Sequence, residues 1–95
     1  MKTYVDVLGR AIEVADNQPC VTATDKWLSG WGHAEGKTHK QIVVCSSWEQ
    51  ADRVARNMRK QGCIYVNVRR GVKTYPASRY TYSIRHADDC PLWTK

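Results

Sequence analysis

The sequence predicts an α+β domain in which one amphipathic helix packs on a mostly antiparallel sheet of about 4–5 strands. Three observations carry that prediction. Residues 48–58 repeat apolar side chains at helical spacing. Residues 63–70 and 79–86 alternate apolar and polar side chains at strand spacing. Residues 41–45 form a short apolar run typical of a central strand. The chain's 95 residues read as one domain, 1–95, with no repeat, low-complexity tract or linker.

Residues 3–14 read as two short strands, over 4–8 and 11–14, turning about Gly9 and Arg10. Asp16, Asn17, Gln18 and Pro19 make a turn or loop, and residues 21–24 a short strand. Residues 25–40 are the least regular part. They hold Gly30, Gly32 and Gly36 with Trp27, Trp31, His33 and His39, and Asp25 can cap a short helical turn through Trp27 and Leu28. Such a loop either contacts a partner or packs a Trp onto a small core.

The helix is expected over about residues 47–61, ending at Gly62 as a left-handed C-terminal residue. Its start fits a capping box from Ser46 to Glu49, or from Ser47 to Gln50 in the next register. On a helical wheel Trp48, Ala51, Val54, Ala55 and Met58 share one arc. Arg53, Arg56 and Lys60 take another face, with Arg59 at the border. Glu49 and Asp52 come early and the cations late, as the helix dipole prefers. In the next strand Ile64, Val66 and Val68 are expected to face the helix, and in the last Tyr80, Tyr82 and Ile84. The opposite sheet face then shows Tyr65, Asn67, Arg69, Thr81, Ser83 and Arg85. In the tail, Leu92 and Trp93 are expected to fold back as an edge plug.

Charge is the strongest functional signal. Residues 53–85 contain nine Lys or Arg and no Asp or Glu, whereas the remaining residues carry a slight acidic excess, so the formal net charge of +6 arises in one third of the chain. A one-signed field confined to one region points to a partner of opposite sign: nucleic acid, an acidic protein surface, or a nucleoprotein complex that offers both. The candidate contact residues are Arg53, Arg56, Arg59 and Lys60 on the helix, and Arg69, Arg70, Lys73 and Tyr75 around the following strand and loop. Arg suits bidentate phosphate or carboxylate contacts, and a Tyr among cations suits stacking on a base. Trp and Tyr carry all the aromatic content, since Phe is absent.

Other chemistries fit less well. Gly36-Lys37-Thr38 lacks the glycine spacing and the following helix of a phosphate-binding loop. Cys20, Cys45, Cys63 and Cys90 are widely spaced. His86 and Cys90 make a single loose pair, where structural zinc takes two close ones, so no metal site and no cofactor are expected and the thiols read as reduced packing residues. No segment has the length of a membrane span or the pattern of a secretory leader, so no membrane partner and a cytoplasmic location are expected. No catalytic residue set stands out. The rival from another class is a small metal-free ribonuclease with His86 or His39 as general acid or base and Arg85 on the phosphorane. RelE-type toxins have this size and charge, but they begin with helices, and this chain begins with strands.

The runs YVDVLG at 4–9, KWLSGWGHAEGKTHK at 26–40 and YTYSIRHADDCPLW at 80–93 resemble small accessory proteins of phages and mobile elements, a group that includes anti-CRISPR proteins. The likeness covers most of the length, is one of style, and transfers no functional residue. It implies a short non-enzymatic protein that inhibits or modulates a nucleic-acid-handling complex in the host cytoplasm. A basic member is expected to engage acidic protein or guide RNA.

Overall fold

Apolar side chains cover both faces of the central strands, and that decides the architecture. The strands are β1 (Lys2–Val5), β2 (Ala11–Val14), β3 (Pro19–Thr24), β4 (Thr38–Val44), β5 (Ile64–Arg70) and β6 (Tyr80–His86). The helices are α1 (Trp48–Lys60) and a short α2 (Pro91–Thr94), which follows a 3-10 turn over Ala87–Asp89. The computed structural model describes residues 2–6, 8–24, 38–72 and 79–94. Strands β1 and β2 pair as an antiparallel hairpin, and the other four form a sheet in the order β5-β3-β4-β6. Strand β3 runs antiparallel to both neighbours, while β6 lies parallel to β4. The chain is therefore α+β, with one main helix on a mostly antiparallel sheet.

Every residue of β3 is buried. Its Val21 and Ala23 join Val43, Cys45, Ala51, Val54, Ala55, Met58 and Trp93 beneath α1. Its Cys20 joins Val14, Ile42, Val44 and Ile84 on the other face, which the hairpin covers through Tyr4 and Ile12. A strand buried on both sides loses the polar-out alternation that marks a half-exposed one.

Local rules fix α1. The Ser47 hydroxyl accepts the Gln50 backbone N–H at 3.1 Å, so Ser47 is the N-cap, and the Gln50 side-chain oxygen reaches one residue further back, accepting the Ser46 backbone N–H at 2.7 Å. At the far end Cys63 N–H reaches the Met58 carbonyl at 3.0 Å and Gly62 N–H reaches that of Arg59 at 3.2 Å. This is a Schellman ending, and Gly62 at φ 90° supplies the left-handed residue it needs. Ala51, Val54, Ala55 and Met58 are buried, as the wheel predicts, but Trp48 at the first helical position stays 47% exposed. The tail does fold back: Trp93 is buried against α1 and its indole N–H donates to the Gln61 side chain at 2.8 Å, whereas Leu92 remains exposed.

The expectation for β6 is overturned. Its register with β4 pairs Ile42 with Ile84 and Val43 with Arg85. Tyr80, Tyr82 and Ile84 therefore lie on the hairpin side, while Thr81, Ser83 and Arg85 lie on the helix side. The expectation assumed a single apolar layer. With a hairpin burying the second face, Ile84 is satisfied there, and Arg85 lays its guanidinium 5.5 Å from the Trp93 ring centre. On β5 the expected faces hold for Val66 and Val68, which pack beneath α1. Ile64 does not, because it pairs with Thr24 across a bulge: Thr22 pairs with Asn67, so β5 carries one extra residue in that interval. Tyr65 sits in the bulge at φ 53°, the one non-glycine residue with positive φ among the described residues. Its side chain is 72% exposed, so little burial offsets that strain. Tyr65→Gly is expected to be more stable than Tyr65→Ala by about 1 kcal/mol, because only glycine adopts this backbone freely. Denaturant melts of the two variants check this, and equal stabilities would mean the bulge relaxes at no cost.

The hairpin is latched at its turn. The buried Asp6 carboxylate accepts the backbone N–H groups of Leu8 and Arg10, each at 2.9 Å, and the Arg10 guanidinium at 3.2 Å. Arg10 continues to Asp89 at 2.5 Å, tying the hairpin to the 3-10 turn. The Arg10 backbone N–H holds the Asp6 carboxyl below the usual carboxylate range. The Leu8 N–H and the Arg10 charge add to this, against desolvation that pushes upward. A depressed folded-state pKa stabilises above the unfolded value of about 3.9, and that contribution is lost as pH falls through the folded value. Asp6→Asn is therefore expected to lose less stability than the parent between about pH 6 and about pH 3. Urea melts at both pH values provide the check, and parallel losses would show that Asp6 is not the titrating latch.

Candidate functional site

Arg53, Arg56, Arg59 and Lys60 are all exposed along α1. Positions 53, 56 and 60 repeat at the three- and four-residue spacing that lines up one helix face. Arg53 reaches the Thr94 carbonyl at 3.4 Å and Arg59 reaches that of Val66 at 3.3 Å, so these two borders of the cationic face rest on α2 and β5. Among the described residues no carboxylate lies within ion-pair distance of any of the four. Among the described residues their charge is not neutralised by an ion pair.

The remaining candidates do not join that face. Arg69 pairs in register with Cys20, which faces the hairpin, so Arg69 points away from α1. It is half-buried, and its Nε has no hydrogen-bond partner among the described residues. Arg70 is exposed opposite Pro19 at the end of β5. Lys73 and Tyr75 lie outside the described residues, as do Trp27, Trp31 and His33.

The residues of the ribonuclease alternative are also separated. His39 pairs with Thr81, and His86 pairs with Val44, at the far end of the same two strands. Five register positions part them, about 16 Å at the usual strand rise. His39 ring nitrogens lie 2.9 Å and 3.3 Å from the hydroxyls of Thr81 and Ser83. His86 Nδ1 accepts the Asp88 backbone N–H at 3.2 Å, capping the 3-10 turn. Arg85 and His86, being adjacent on a strand, point to opposite faces. All four cysteines are free thiols. Burial pushes the Cys20 thiol up to about 11 and the Cys45 thiol to about 12, with Cys20 and Asp88 adding to the latter, so both remain protonated packing residues at neutral pH. Among the described residues no three His, Cys, Asp or Glu side chains come together as metal ligands, and no helix is long and apolar enough to cross a membrane.

The structure assembles one group that the sequence argument misses. Register places Thr24 beside Lys40 and Lys40 beside Tyr82, with Ile64 on the far side of Thr24. Lys40 Nζ donates to the Thr24 hydroxyl at 2.6 Å and lies 5.4 Å from the Tyr65 ring centre and 5.9 Å from that of Tyr80. Two tyrosine rings thus flank one ammonium group on the sheet face away from α1. The missed signal was the hairpin: once residues 2–14 cover one sheet face, the apolar side of β6 has a place other than beneath the helix.

A comparison with known proteins found no matching family model, no matching curated protein and no matching solved structure.

Proposed function

We propose that this chain is a non-enzymatic binding protein that docks its α1 cations on a nucleic-acid-handling nucleoprotein complex and inhibits or modulates it. Anti-CRISPR activity is the sharpest form of this reading. The observation that carries it is the run Arg53, Arg56, Arg59 and Lys60, exposed on a capped helix and without a carboxylate partner among the described residues. Cations held in that way supply long-range attraction to phosphates or acidic side chains at no internal cost. Arg85 points to the opposite sheet face from His86 and lies four register positions from His39, which counts against the ribonuclease alternative.

The test is capture of a complex from the host by the parent chain and by the Arg53→Glu/Arg56→Glu/Lys60→Glu variant, with and without nuclease treatment. The parent is expected to retain a nucleoprotein complex that the variant loses. Unchanged capture by the variant refutes the site. RNA cleavage by the parent that His39→Ala or His86→Ala abolishes refutes the non-enzymatic reading.

A further inference from the structure

We infer that strand β6 is an interface, and that a second copy of this chain pairs with it antiparallel about Ser83, joining two four-stranded sheets into one of eight strands. The proposal does not depend on the helix-face reading, because it concerns one border of the sheet and not α1.

Its first support is the outer side of β6. The strand is last in the order β5-β3-β4-β6 and pairs only with β4 among the described residues. In a parallel pair alternate residues turn their backbone polar groups away from the neighbour. Among the described residues no backbone hydrogen bond reaches the outer side of positions 81–86. Residues 80–84 are aromatic, β-branched or small, carry no charge at neutral pH and hold regular strand backbone, so they suit a further strand. The second support is self-complementarity. Ser83 is the midpoint of Tyr80–His86, so pairing about it matches all seven residues with the same seven of the other copy. It sets Tyr82 of each copy against Ile84 of the other, an aromatic residue against a β-branched one. Arg79 falls opposite Ala87 and next to Asp88, whose side chain is 68% exposed, and the symmetry makes this meeting of opposite charges twice. Pairing about Tyr82 instead sets Arg79 against Arg85, which repels. The third support is an apolar recess at the same border. Val5, 71% exposed, and Tyr82, 41% exposed, line a cleft with Asp6, Ser83 and Ile84. Opposed residues of an antiparallel pair share a face, so Tyr82 of the second copy arrives beside this cleft and shields Val5. The two-fold axis stands normal to the sheet, so both α1 helices lie on one side of the joined sheet and present their cations in the same direction.

The test is sedimentation equilibrium of the full chain from about 1 to about 100 μM, a range suited to a small interface. The parent is expected to approach twice the 10.9 kDa chain mass at the upper end. Tyr82→Lys, which brings a charge into the pairing from each copy, should weaken association about tenfold or more, whereas Tyr65→Lys on β5 should leave it unchanged. Ser83→Cys reads the register directly and does not rely on a weakened variant. Opposed Cα atoms lie about 4.5–5.5 Å apart, within disulfide reach, so mild oxidation should link this variant into a reducible dimer faster than it links the parent. A monomer throughout the concentration range, association that Tyr82→Lys leaves unchanged or Tyr65→Lys abolishes, or no gain in cross-linking by Ser83→Cys would overturn the proposal.

Discussion

Met58→Ala is expected to lower the unfolding free energy by about 3 kcal/mol. Met58 is fully buried in the last full turn of α1, within the apolar layer that joins the helix to Val21, Ala23 and Val43. Truncation removes apolar burial and leaves a space that Ala51, Ala55 and the strands cannot refill, because their own side chains are short. A domain of this size has only about 5–10 kcal/mol to lose. Urea melts should show a lower midpoint at an unchanged slope. Met58→Leu, which conserves volume, should cost less than about 1.5 kcal/mol. A loss below about 1 kcal/mol for the alanine variant would mean that α1 is not seated on the sheet as described.

Reversing Arg53, Arg56 and Lys60 to Glu is expected to have the largest effect on binding and a small one on stability. The three changes bring the formal net charge from +6 to zero and turn an attractive face repulsive. Loss of three phosphate contacts should flatten the dependence of log affinity on log salt by about three units, and weaken affinity at low salt by about 100-fold or more. All three side chains are exposed, so the core under α1 is untouched. The principal cost to the fold is a new anion in the last helical turn, where the dipole disfavours it, on the order of 0.5 kcal/mol. A salt titration and a melt of the same variant separate the two effects. If the salt slope keeps its parent value, those cations do not face the partner.

Helix α1 was legible because its determinants are local. Ser47 with Gln50, the arc from Ala51 to Met58, and Gly62 are all read within one stretch of chain. The succession of strands along the chain was legible for the same reason. The side chosen by β6 was not. Tyr80, Tyr82 and Ile84 alternate cleanly, but alternation fixes only which residues share a face, not which layer covers it. That choice depends on a parallel pairing with β4, 42 residues earlier in the chain, and on a hairpin at the far N-terminal end. The candidate site divides along the same line. The cations of α1 were readable from a wheel, while the cluster of Lys40 with Tyr65 and Tyr80 exists only through register. Arg69 illustrates the limit from the other side: it belongs to the basic stretch in sequence and to the opposite face in space.

The bulge at Tyr65 has a further consequence for association. Strand β5 is an edge of the sheet, and an unbroken edge offers its free N–H and C=O groups as a template on which another chain can extend the sheet. A left-handed residue in that edge breaks the regular spacing of those groups. The exposed Arg70 beyond it adds charge repulsion between like copies. The distortion that turns Tyr65 outward therefore also guards this edge against self-templated aggregation.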